Sequence, residues 1–194
     1  MLEVVLDVET KKTFDEVGGF FPDRLGISFV GVCVRDTQTN TMEMQSYFEQ
    51  DLPKLFPLLE KADVVIGFNI DNFDMPTFLP YYQADISKIP TLDLMLRIKD
   101  SVGHRIGLDA VAVETLGKGK IGDGLDAIKY YKNQEWDKLA KYCLMDVEVT
   151  RDIYDFGVRN GKVKFRNKWN RLVECDVDFS FTPKKDAGVQ MSLL

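Results

Sequence analysis

The 194-residue chain carries 25 basic and 31 acidic side chains, and its net charge of −6 argues against a protein that coats nucleic acid through bulk electrostatics. Its 45% apolar and 29% charged residues are ordinary for one globular domain, and no apolar run is long enough to span a bilayer. The amino-terminal residues do not read as a secretory leader, and Cys33, Cys143 and Cys175 form no CxxC pair, so reduced thiols and a cytoplasmic location are expected.

In chain order, LEVVLDVET opens on a Leu/Val-rich run that predicts a buried strand over residues 3–9. LGISFVGVCVR (25–35) and TMEMQSYFE (41–49) predict two more strands, joined by the polar turn DTQTN. A short helix over 52–62 tolerates a proline near its start. DVVIGFN (63–69) follows as a buried strand, and its position after a helix predicts parallel pairing with the first strand. A helix is expected around 75–83 and a short strand near 89–94. From 107 onward the pattern is helical, over 107–117, 123–133 and a long amphipathic stretch at 135–161. Leu139, Cys143, Asp146, Val149, Ile153 and Phe156 share one stripe of that last helix. The basic stretch RNGKVKFRNKWNR (159–171), with Phe165 and Trp169 interleaved, reads equally as a solvated hairpin or a nucleic-acid contact. Residues 1–181 are expected to form one domain and 182–194 a flexible tail. A three-strand meander, a parallel addition and then helices is the order of an α/β mixed sheet flanked by helices.

Side chains alternate along a strand, so Asp7 and Glu9 share a face near the carboxyl end of the first strand. Ligand crevices of open α/β sheets lie at such ends. GFNIDNFDMPTF (67–78) brings Asp71 and Asp74 just beyond the fourth strand, and the residues alone leave both open. Asp146 is the charged residue on the apolar stripe of the long helix, and Tyr142 precedes it by one turn on the same side. Taken singly, each acid reads as a turn, a cap or a solvated charge. Together they bring like charges to one edge, a penalty that divalent cations remove. A carboxylate set without Cys or His suits Mg²⁺ or Mn²⁺ rather than zinc.

LDVET, GFNIDNFD and YCLMD resemble, in order, the three motifs of the DEDD superfamily of 3′→5′ exonucleases, which have a ribonuclease H-like fold. The resemblance implies that Asp7 and Glu9, then Asp74, then Asp146 hold two divalent cations, Mg²⁺ or Mn²⁺, with Asp7 as the bridge. It selects Asp74 over Asp71, and leaves Asp93 in TLDLM as a helix cap. Tyr142 stands four residues before Asp146, which resembles the tyrosine branch; the position that carries histidine in the other branch is Lys141. Tyr142 would then orient the attacking water, and His104 is left to structure or substrate. Thr10 and Asn69 flank these motifs and, with Phe73, would hold the terminal nucleotide; the glycine-flanked Lys118 and Lys120 read equally as contacts to backbone phosphate and as solubilising charges, and the glycine-rich loop 11–24 offers Phe20 or Phe21 to a base.

The stretch 103–143 also resembles a bacterial subgroup of exonucleases found near or fused to helicases, which implies a helicase association. The implied substrate is single-stranded or frayed DNA. The alternatives are an exoribonuclease trimming RNA 3′ ends, a structure-selective endonuclease, and a non-catalytic nucleic-acid or clamp-binding module. Gln190, Met191, Ser192, Leu193 and Leu194 resemble the short peptide by which bacterial proteins dock on the sliding clamp, with Leu194 where phenylalanine is more usual.

Overall fold

The computed structural model of the chain describes residues 1–119 and 124–182. The clamp-like peptide at 190–194 and Lys120 therefore lie outside the described residues. Strand β1 (Leu2–Thr10) is central in a five-stranded sheet, with β2 (Ile27–Asp36), β3 (Thr41–Phe48), β4 (Val64–Gly67) and β5 (Thr91–Asp93) in the order β3-β2-β1-β4-β5. β1–β2 and β2–β3 are antiparallel, whereas β1–β4 and β4–β5 are parallel, as the crossover argument requires. The expected mixed α/β sheet is thus the observed one.

Alternation along β1 sorts its side chains between two cores. Val4, Leu6 and Val8 enter an apolar cluster with helix α1 (Leu52–Lys61) and α2 (Asp74–Phe78). Val5 points the other way, into a cluster that includes residues of α3 (Leu94–Val102), α4 (Leu108–Leu116) and α6 (Trp136–Asn160). Helix α5 (Gly124–Lys132) contributes Ala127 to a third cluster with Phe29, Leu139, Tyr142 and Cys143. Among the described residues no helix is long and apolar enough to cross a membrane.

Three expectations change. Helix α2 is shorter than expected: Leu79 N–H still bonds the Pro76 carbonyl, but Pro80 has no N–H with which to continue the helix. Helix α3 has no counterpart in the sequence reading, which carried the strand near 89–94 into it; Asp93 caps its start and Gly103, at φ +82°, ends it in the left-handed region. Downstream, β6 (Lys162–Arg166) and β7 (Leu172–Asp176) form an antiparallel hairpin. There Phe165 is 2% exposed and belongs to the core, so it is no part of a basic surface.

Candidate metal centre

The site grows from a mismatch in strand length. The parallel pairing of β1 with β4 covers Glu3 to Val5, while the pairing with β2 continues to Thr10. Past Val5, β1 has lost β4 as a neighbour, and a buried N–H on that side needs an acceptor. Asp74 supplies it: the Val8 N–H donates to Asp74 Oδ1 at 3.0 Å. That bond, made across 66 residues of sequence, docks the start of α2 against the stretch that carries Asp7 and Glu9.

Asp74 is 3% exposed. Burial, with the Asp7 carboxylate beside it, holds its pKa well above the usual carboxylate range, although the Val8 N–H works in the opposite direction. Asp7 and Glu9 lie on the same face of β1, and one ligand atom from each lies within 4.8 Å of the other and of Cys143 Sγ. The Cys143 thiol is 3.5 Å from both the Asp7 carbonyl and Asp7 Oδ2. This corrects the expectation of a cluster without cysteine. Burial, and then the charges of Asp7 and Glu9, push that thiol well above its ordinary pKa.

Gly31 explains how α6 comes so near. It pairs with Asp7 across β1–β2, and a Cβ built on it would stand 3.0 Å from Cys143 Sγ and from Val147 Cγ2. Only a residue without a side chain leaves that space to the helix. Asp146 is buried on α6 three residues after Cys143, and so on the same side of the helix. Tyr142, also buried, borders a cavity of about 200 Å³ with Tyr130, Lys138, Lys141 and Met145.

Asp93 does more than cap α3. Its carboxylate accepts the N–H groups of Asn69 (2.9 Å), Asp71 (3.2 Å) and Leu96 (3.2 Å). It therefore pins the turn leading to Asp74, in which Asn69 takes φ +71°. The sequence shows only the cap, because the second set of donors lies more than 20 residues upstream.

A cavity of about 410 Å³ is bordered by Thr10, Thr13, Phe14, Phe73, Leu125 and Ile128, two of which, Thr10 and Phe73, are the chain neighbours of Glu9 and Asp74. Thr10 and Phe73 thus meet at one cavity; Asn69 belongs to the turn held by Asp93. Phe14 stacks on Phe20 at 4.7 Å and meets Phe73 edge-on at 6.0 Å, while Phe21 sits under the Arg24 guanidinium. The Lys118 ammonium is 2.9 Å from Asp152 and 3.7 Å from Glu148, so its charge is already engaged with α6. His104 is exposed and directs Nδ1 at the Val102 carbonyl.

Sheet order, flanking helices and an acidic group at the carboxyl end of the central strand define a ribonuclease H-like α/β domain. The family model described as RNase_H superfamily matches residues 5–157, a span that contains Asp7, Glu9, Asp74, Tyr142 and Asp146. The chain belongs to that superfamily, whose members are typically nucleases that use divalent metals on nucleic-acid substrates. No curated protein matches it.

Proposed function

We propose that the chain is a metal-dependent 3′→5′ exonuclease that hydrolyses the terminal phosphodiester of single-stranded or frayed DNA. The observation that carries this reading is the meeting of Asp7, Glu9 and buried Asp74, from separate segments, within a chain of the RNase H superfamily. Carboxylate oxygens are the donors that Mg²⁺ and Mn²⁺ prefer, and a cation would relieve the repulsion between the Asp7 and Asp74 carboxylates. Asp7, Glu9, Asp74 and Asp146 would hold two such ions. When bound, these supply charge neutralisation at the scissile phosphate and a more acidic water.

The chain's own groups do the rest. Phe73 offers a ring face to the terminal base, in the cavity it shares with Thr10. Asn69 stands in the turn pinned by Asp93, close to the acids it precedes. Tyr142 Oη orients the attacking water, and the proton passes from that water to solvent. The bond that breaks joins phosphorus to the 3′ oxygen of the penultimate nucleotide, which takes a proton from solvent to become the new 3′-hydroxyl, and the water oxygen stays on phosphorus in the released nucleoside 5′-monophosphate.

The test is product analysis of 5′-labelled single-stranded DNA and RNA with Mn²⁺ or Mg²⁺, with and without chelator. The expected result is a ladder of shortened DNA that chelator abolishes. Asp7→Ala and Asp146→Ala should each cost about 10²–10³-fold or more in rate, and Tyr142→Phe about 10²-fold. Internal cuts, a preference for RNA, or wild-type rates in either aspartate variant would overturn the assignment.

A further inference from the structure

The β6–β7 hairpin carries a side chain that the fold does not use. Trp169, at its tip, is 69% exposed, the most exposed large apolar side chain among the described residues. The tip itself is firmly built. Asn167 Oδ1 accepts the N–H groups of Trp169 (3.0 Å) and Arg171 (3.1 Å), and the Arg166 guanidinium donates to the Asn170 carbonyl (3.1 Å). The indole is thus presented by an ordered turn, so little conformational freedom is lost when something docks on it.

The charges of the hairpin are sorted along its length. In the body, Lys162 and Lys164 pair with Glu174, and Arg166 pairs with Glu114. At the tip, Lys168 and Arg171 make no ion pair among the described residues, and the Lys168 ammonium lies 4.5 Å from the Trp169 ring centroid. In a chain of net charge −6, this leaves a local cationic aromatic surface. An indole face flanked by unpaired cations matches single-stranded nucleic acid, whose bases stack while its phosphates take the charge. A protein partner would more often meet a surface depleted of lysine.

We propose that the hairpin tip is a second nucleic-acid contact, with Trp169 stacking on an unpaired base and Lys168 and Arg171 meeting the adjoining phosphates. It rests on the nucleic-acid reading of the metal centre, but it is tested by binding and not by turnover. With Trp136→Phe the full chain keeps Trp169 as its remaining tryptophan. A single-stranded oligonucleotide of about a dozen nucleotides, added in chelator, should quench its emission saturably.

In the otherwise unaltered chain, Trp169→Ala should weaken binding of the same oligonucleotide, labelled and read by anisotropy, about 5- to 150-fold. Lys168→Ala and Arg171→Ala should each lower the salt slope of log K by about 0.7. Hydrolysis of a dinucleotide should be unchanged in all three variants. Unaltered affinity in Trp169→Ala, or loss only of self-association or of binding to another protein, overturns the proposal. Quenching and weakened binding in a protein that hydrolyses nothing would leave the hairpin contact standing and remove the exonuclease reading.

Discussion

Gly31 shows how much a site depends on an atom that is missing. Opposite Asp7, it is where α6 presses closest to the sheet, with Leu144 Cδ2 3.2 Å from where its Cβ would be. Gly31→Ala should therefore overpack a contact that cannot yield on the sheet side. The expected cost is about 1–3 kcal/mol, a fall in melting temperature of about 2–10 °C by calorimetry. Because the displaced helix carries Cys143 and Asp146, weaker Mn²⁺ binding should accompany the loss; a variant as stable and as metal-avid as the parent would refute the close-approach argument. A glycine inside GVCV reads in sequence as a flaw in a strand, since its purpose lies more than 100 residues away. Asp7 and Glu9 were legible because a period of two puts them on one face whatever surrounds them.

At the scale of elements, the glycine-rich loop after β1 and helix α5 both wall the cavity shared by Thr10 and Phe73. They are joined by an ion pair, Glu16 with Lys132 at 2.8 Å, and Glu16 also accepts the Thr13 N–H at 2.7 Å. The Lys132 hydrogen bond first, then that of Thr13, lowers the Glu16 pKa from 4.5 to about 2. Because the folded-state value is the lower one, the stabilisation is fully present above pH 4.5 and is lost as pH falls through about 2. Carboxyl NMR should find Glu16 titrating near 2, and Lys132→Met should move it up toward 4.5. Titration near 4.5 in the parent would mean that the loop and α5 are not tethered in solution. The limits of α1, α4 and α6 follow the sequence reading closely, because apolar periodicity and terminal glycines are local signals. Helix α3 is hidden because Leu94 and Met95 follow Leu92 of β5 with only Asp93 between them, so strand and helix share one largely apolar stretch.

For the whole molecule, Asp7 and Glu9 of β1, Asp74 at the start of α2 and the Cys143 thiol of α6 tie together segments that the chain keeps far apart. An ion held by the folded protein and not by the unfolded chain stabilises by mass action, about 2.7 kcal/mol at a hundredfold excess over Kd. Mn²⁺ should accordingly raise the melting temperature by about 5–10 °C, and Asp7→Asn or Asp74→Asn should remove most of that rise. Equal shifts in parent and variants would place the ion elsewhere. The hairpin makes a parallel point: one basic run holds both Phe165, in the core, and Trp169, in solvent, and strand alternation together with the turn at Asn167 separates them.

By itself the sequence determined the sheet's membership, the parallel addition of β4 and the segments that carry Asp7, Glu9, Asp74 and Asp146, because periodicity and motif spacing are properties of neighbouring residues. Tertiary structure alone decided that Val8 N–H receives Asp74, that Cys143 joins the acids, that Asp93 holds the turn before α2, and that Lys118 is spent on α6. Each of these is a contact between residues remote in the chain. Which donor lacks a partner, and which charge is already neutralised, is settled only once the strands have ended and the helices have docked.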